Sequence, residues 1–202
     1  MSSELLIAFV IFAIVGSITP GPNNMMLLAS GVNFGLARTI PHLLGVSIGF
    51  AAMVAAMGLG LGTIFEAYPV LHMILRYVGA AYLVFLAWKI ATAGAPGENG
   101  AARRRPITFL QAAAFQWVNP KAWVLALSAI STYTPPGQFF FNVLVVAIVF
   151  GAVNLPCVGL WVLFGTAMRR LLTHPTVVRV FNGVMAVALV ASLYPIFSEA
   201  MA

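Results

Sequence analysis

The feature that most constrains this chain is a succession of uncharged apolar runs, each long enough to cross a bilayer, that together take up nearly its whole length. A membrane-crossing helix needs about 20 consecutive, mostly apolar residues. Runs of that kind extend over about 5–30, 39–64, 70–92, 107–131, 139–168 and 177–197 of the 202 residues. Backbone amides find no water in the hydrocarbon, so only helices and closed barrels cross it. Barrel strands alternate over about ten residues, whereas these runs are continuous, and they predict helices. Composition agrees: 62% of the residues are hydrophobic and 7% charged, against about 25% charged in soluble domains. A surface so poor in charge has to face lipid. The chain therefore reads as an all-α, polytopic integral membrane protein of six transmembrane helices, forming a single domain over 1–202.

The same residues exclude several kinds of chemistry. The net charge of +6 is spread between apolar runs as loop anchors rather than gathered in one stripe, which argues against nucleic acid. Cys157 is the one cysteine, so there is neither an internal disulfide nor a thiol–disulfide couple. No aspartate occurs, and the four glutamates are Glu4, Glu66, Glu98 and Glu199; an intramembrane aspartyl protease lacks its pair, and no HExxH motif is present. Metal sites want carboxylate, thiol or imidazole ligands, which the apolar runs hardly supply. His42, His72 and His174 fall near run ends, read as interfacial, and do not have zinc-site spacing. No enzyme, metal site or cofactor is called for. Residues 5–15 look like the core of a signal peptide, but Glu4 and the lack of Lys or Arg before them are wrong for one, and the segment reads as a retained first span.

Orientation follows from basic residues in the loops. The loops after spans one, three and five, with their flanking helix ends, hold Arg38, Lys89, Arg103, Arg104, Arg105, Arg169, Arg170 and Arg179. The opposite side holds Arg76, and Lys121 lies inside span four. The basic side is expected to be cytoplasmic and both termini periplasmic.

Two spans are interrupted at comparable depth. Span one breaks at Thr19, Pro20, Gly21, Pro22, Asn23 and Asn24; span four breaks at Asn119, Pro120 and Lys121. If spans one to three (about 1–95) and four to six (about 106–202) are two halves, the breaks occupy equivalent positions, and an odd number of spans per half gives the halves opposite orientation. Paired broken helices in inverted repeats point to the substrate site of a secondary transporter. Proline cannot continue the hydrogen-bond ladder, but suits the first turn of a new half-helix, where Asn is a good cap. Such N-termini favour an anion, and a carboxylate is the natural guest. Lys121 costs about 2.5–3.5 kcal/mol at mid-membrane and is disfavoured further by the helix dipole. With no aspartate available, its partner is expected to be a substrate carboxylate; the plainer alternatives are snorkelling and simple proline kinks.

Other polar residues are weighed in the same way. Asn154 and Pro156 read either as a kink in span five or as a cavity-lining amide. Glu66 can pair with Arg76 as an outer gate, or carry a proton. Gly45, Gly49, Gly58, Gly60 and Gly62 suit close helix packing. Trp88 and Trp161 fit interfacial belts.

Ser17-Ile18-Thr19-Pro20-Gly21-Pro22-Asn23-Asn24 resembles the TPGPN signature of the lysine-exporter (LysE) superfamily. Gly31, Gly35 and Gly45-Val46-Ser47-Ile48-Gly49 continue the pattern, Gly79-Ala80-Ala81-Tyr82-Leu83 with Trp88-Lys89 resembles its third span, and Phe115-Gln116-Trp117-Val118-Asn119-Pro120-Lys121-Ala122 resembles its NPK motif. The branch is most similar to the homoserine/threonine exporters (RhtB), and within it to cysteine/O-acetylserine exporters. The resemblance implies export of small amino acids or derivatives from the cytoplasm across the inner membrane, with the proton as coupling ion. The candidate substrate-binding residues are then Thr19, Pro20, Gly21, Pro22, Asn23, Asn24, Gln116, Asn119, Pro120, Lys121 and Asn154. Many relatives carry acidic residues where this chain has Phe50, after Gly49, and Asn154. Their absence favours a neutral zwitterion over a cationic substrate. The alternatives are an exporter of another small solute or ion, or a non-transporting membrane scaffold. Self-association into a homo-oligomer is left open.

Overall fold

The computed structural model describes residues 1–61, 68–93, 105–172 and 174–193. Among the described residues all regular structure is helical, in seven helices: α1 (Ser3–Ile18), α2 (Pro22–Ala56), α3 (Pro69–Ala91), α4 (Phe109–Gln116), α5 (Pro120–Tyr133), α6 (Phe139–Leu171) and α7 (Pro175–Ala191). Local chemistry sets many of their starts. Proline occupies the first helical position of α2, α3, α5 and α7, where its missing N–H costs nothing and its fixed φ favours the helix. Ser2 caps α1 by accepting from the Leu5 N–H at 3.3 Å. Thr108 and Gln111 cap α4 reciprocally, side chain to backbone in each direction.

Two of the expected spans are each made of two helices. The first passes from α1 through an extended joint at 19–21 into α2, with Gly21 at φ 179° and ψ 174°. The fourth passes from α4 through 117–119 into α5, with Asn119 as N-cap and Pro120 as first residue. Both interruptions fall where Pro, Gly and Asn predict them.

The joint between the first and second runs differs from the reading that placed a loop over 31–38. Helix continues up to and away from a single residue, Gly35, at φ 75° and ψ 173°. That conformation is essentially reserved for glycine. A straight helix would hold Ser30 and His42 about 18 Å apart at 1.5 Å per residue, yet Ser30 Oγ and His42 Nδ1 are 2.9 Å apart. The chain therefore reverses at Gly35, and α2 is a hairpin of two arms, 22–34 and 36–56. The second arm ends in a wide π turn, Met57–Leu61.

Of all pairs, α2 and α6 pack together most extensively, because small residues let their backbones meet. A Cβ on Gly31 would stand 2.5 Å from Val162 O, and one on Gly165 would run into Leu28 O. Gly49 lies against Ala113 of α4, where a Cβ would stand 2.5 Å from Cα. This is the close approach expected of glycines in apolar helices. The core falls into two clusters. One joins Leu27, Leu83, Phe115, Val162 and Leu189; the other joins Phe9, Phe50, Ala126 and Phe150. Phe50 and Phe150 meet edge to face at 4.7 Å. At 33 residues, α6 is about 50 Å long, more than the roughly 30 Å hydrocarbon core. Large apolar side chains stay exposed along it and its neighbours, among them Ile11, Val84, Ile148 and Val187, which suits a lipid-facing surface.

Candidate functional site

The two interruptions face one another across a recess with an empty volume of about 330 Å³, open mouth included. Its wall holds Gly21, Asn23 and Asn24 from the first break, Gln116, Asn119 and Lys121 from the second, and Asn154 from α6. Seven of the eleven residues singled out in the sequence therefore line one space. Thr19 and Pro20 join it through their oxygens, as described below. Pro22 and Pro120 frame it as the first residues of α2 and α5. Glu66 lies outside the described residues, as does the side chain of Arg76.

The backbone freed at the first break is accounted for group by group. Carbonyls at a helix end have no intrahelical donor, and inside a membrane each needs another. Asn24 Nδ2 donates to Ser17 O at 2.9 Å and to Thr19 O at 2.7 Å. The Trp161 indole N–H donates to Ile18 O at 3.1 Å. Lys121 Nζ donates to Thr19 O at 2.7 Å, Thr19 Oγ1 at 2.8 Å and Pro20 O at 3.2 Å. The lysine that the sequence leaves without a partner is thus seated on three oxygens of the other broken span. The C-terminal end of α1 carries the negative pole of its dipole, which suits an ammonium. Its stem lies over Gly21, where a Cβ would stand 2.9 Å from Lys121 Cδ.

At the second break the Asn119 side chain accepts from the Lys121 N–H at 3.2 Å. Gln116, fully buried, exchanges two hydrogen bonds with Asn23: Asn23 Nδ2 donates to Gln116 Oε1 at 2.8 Å, and Gln116 Nε2 donates to Asn23 Oδ1 at 3.1 Å. By contrast no described side chain caps the first turn of α2, so the Asn23 and Asn24 N–H groups keep the anion preference of a helix N-terminus.

On the far wall Ser47 Oγ donates to Asn154 Oδ1 at 3.0 Å, and Asn154 Nδ2 donates to Ser17 Oγ at 3.1 Å. Asn154 thus lines the recess, while Pro156 lies within the continuous helix α6. Phe50 is buried in the same wall. Phe50 and Asn154 therefore both face this recess, and among the described residues no carboxylate lines it. Ser17, which lines the recess, and Ser47, which holds Asn154 from behind, are not among the candidate residues; both sit inside quoted motif segments, but nothing in one chain marks a serine for either part. Trp161, read as an interfacial belt residue, covers a break carbonyl. Among the described residues no three His, Cys, Asp or Glu cluster to hold a metal.

Comparison with known proteins gives a consistent picture. A family model described as LysE type translocator matches residues 14–192. The chain is 33% identical over 199 residues to the cysteine/O-acetylserine efflux protein of Salmonella typhimurium (strain LT2), covering 98% of this chain and 100% of that one. It is 32% identical over 202 residues to the protein of that name in Escherichia coli (strain K12), with the same shares covered. No solved structure matches.

Proposed function

The chain belongs to the LysE-type translocator family, and from that membership we propose that it exports small neutral amino acids or their derivatives across the bacterial inner membrane. The substrates are of the cysteine, O-acetylserine, threonine and homoserine kind. Six spans form one transporter domain of two inverted three-helix halves, about 1–95 and 106–202, with the broken spans one and four holding the substrate between them.

The observation that carries this reading is Lys121. Its ammonium sits on the Thr19 and Pro20 oxygens, in a recess whose polar lining is amides and the Ser17 hydroxyl, with no carboxylate among the described residues. A zwitterion offers that recess two exchanges at once. Its ammonium takes the oxygens at the first break, and Lys121 turns to its carboxylate, together with the uncapped N–H groups that start α2. One cation leaves the oxygens as another arrives, and the departing one gains an anion. A cationic amino acid would bring a second positive charge beside Lys121 with nothing to balance it. A carboxylic acid without an ammonium would leave the oxygens empty.

Substrate loading from the cytoplasm is followed by rocking of one half against the other. The coupling ion is a proton moving inward. One charge crossing 100 mV supplies about 2.3 kcal/mol, enough for a gradient of tens-fold at about 1.4 kcal/mol per tenfold. Efflux indifferent to proton uncouplers would remove the antiport part. Glu66 remains the candidate proton carrier and Glu66 with Arg76 the candidate outer gate.

The test is efflux of preloaded, labelled cysteine, O-acetylserine, threonine and homoserine from cells producing this protein. At least one is expected to leave several times faster than from control cells, and Lys121→Met to lose at least nine-tenths of that difference while the protein still reaches the membrane. Full efflux in the Lys121→Met protein would refute the site. No efflux of any of the four would refute the substrate class.

A further inference from the structure

A second recess lies two helical turns along the first arm of α2. Its wall holds Ser30 and Asn33 from that arm, Lys89 from α3 and Ala93 just beyond it, and Arg105 and Ile107 from the segment leading into α4, around an empty volume of about 270 Å³, open mouth included. Ser30 follows Asn23 by seven residues, which places it about 10 Å from the break recess. The two spaces share α2 as one wall. They are also linked through α4, where Gln116 lines the first and Gln111 holds Lys89 at the second, Lys89 Nζ donating to Gln111 Oε1 at 3.1 Å.

Two cations line this space, and among the described residues no carboxylate pairs with either. The described acidic side chain is Glu4, in the first turn of α1. Two like charges on one recess repel unless an anion lies between them. A lysine ammonium has three N–H donors and a guanidinium five, and one of the former is spent on Gln111. The neutral part of the wall is held rigidly. Asn33 and Asn182 exchange hydrogen bonds at 2.7 and 2.9 Å, and Asn33 Nδ2 also donates to Ala29 O at 2.8 Å.

Ser30 adds an adjustable donor. Its Oγ is 2.9 Å from His42 Nδ1, and His42 is fully buried with no partner on Nε2 among the described residues. Nothing on the far side of the ring therefore fixes its tautomer. When Nδ1 carries the hydrogen, the imidazole donates to Ser30 and the hydroxyl is free to point into the recess. Buried polar atoms are seldom left unpaired without a reason, and an unpartnered Nε2 suits the tautomer that keeps its hydrogen on Nδ1 and turns the Ser30 hydroxyl toward the recess. This also corrects the reading of His42 as interfacial: the reversal at Gly35 folds it against Ser30.

The geometry points to an oxyanion site formed by Lys89, Arg105 and Ser30, which receives the carboxylate of the outgoing amino acid before it reaches Lys121. The site stands on the recess itself; the identity of its anion rests on the export reading. It gives the transporter two cationic stations about 10 Å apart on one arm of α2, the first at the basic end where an exporter loads.

Two measurements test it separately. In inside-out vesicles, Lys89→Met with Arg105→Gln is expected to raise the KM for O-acetylserine at least fivefold while Vmax falls by much less, and Lys89→Arg with Arg105→Lys to stay within twofold of the parent KM. In purified full-length protein at matched ionic strength, acetate and inorganic phosphate are expected to raise the Tm above its value in chloride. That rise should persist in Lys121→Met and fall by at least half in the neutral pair. Should the pair not fold, Lys89→Gln and Arg105→Gln singly are each expected to give part of the loss. An unchanged KM, or a Tm rise equal in parent and neutral variants, overturns the site. A rise produced by phosphatidylglycerol but by neither small anion overturns it in favour of a lipid headgroup. A rise with acetate in a protein that does not move O-acetylserine upholds the site and overturns the substrate reading.

Discussion

Four consecutive carbonyls at the end of α1, from Ser17 to Pro20, are met by donors from three other places in the chain: Asn24 of α2, Trp161 of α6 and Lys121 of α5. Asn24 does the most local part of this, bridging Ser17 O and Thr19 O with one amide nitrogen while buried. Asn24→Ala takes from Ser17 O its donor and leaves Thr19 O with Lys121 Nζ alone, and a buried unsatisfied polar group costs about 1–3 kcal/mol. Thermal unfolding of the purified protein is expected to drop accordingly, and Asn24→Asp to drop at least as far, because a carboxylate oxygen would then face two carbonyl oxygens. Unchanged Tm in both would show that the break does not depend on this bridge. From the chain alone, Asn23 and Asn24 are equivalent: two amides after a proline, fit for backbone or ligand. Their division of labour, Asn24 turned back onto α1 and Asn23 turned across to Gln116, depends on what the other broken span brings alongside. The same holds for Trp161, whose position near a run end is legible and whose acceptor is not.

At the scale of helices, the crossing of α2 with α6 is the contact on which the rest is arranged, and two glycines on α6 separate packing from mere permissiveness. Gly165 sits against Leu28, where an added Cβ would meet the carbonyl carbon at 3.1 Å and the oxygen closer still. Those atoms are backbone and cannot turn aside. Gly165→Ala is expected to destabilise by about 1–3 kcal/mol, the usual cost of overpacking, seen as a lower Tm and less protein in the membrane. Gly159, six residues earlier on the same helix, has nothing within 4 Å of its Cβ position. Gly159→Ala is expected to stay within about 1 kcal/mol of the parent, the scale of the alanine–glycine difference in helix propensity. Equal behaviour of the two variants would mean that the helices do not cross here as described. The interruptions in spans one and four were legible because proline and glycine act on their own backbone. The reversal between the first two spans falls at Gly35, inside the segment 31–38 read as their loop; what was not legible is that a single glycine makes it, so that helix continues up to the turn and away from it. His42 follows from that: a histidine near a presumed loop reads as interfacial, and a histidine seven residues past a sharp reversal lies against the arm before it.

For the whole molecule, contacts between distant segments gather the basic residues at one end. Arg169 Nη1 lies 2.8 Å from where a Cβ on Gly35 would stand, Arg38 lies over the Phe34 ring at 5.3 Å, and Lys89 and Arg105 line one recess beside Phe34. The turn of α2, the end of α3, the start of α4 and the end of α6 therefore share a face. In the six-span arrangement proposed above, the turn of α2 follows the first span, so Ser3 would belong to the opposite face. A cytoplasmic excess of Lys and Arg is the strongest determinant of orientation, and an exporter that collects carboxylates at its basic end needs that end inside. The two requirements coincide, and one experiment reads them. Cys157 is buried, and with it replaced by alanine, Ser3→Cys and His174→Cys each offer a single thiol at an exposed position without removing an Arg or Lys. In intact cells a membrane-impermeant maleimide is expected to label Ser3→Cys at once and His174→Cys only after permeabilisation. The reverse order would place the Lys89 and Arg105 recess outside, where an exporter has no use for a loading station. Equal labelling of both would mean that the chain inserts in two orientations, and inverted halves would then be matched by inverted molecules.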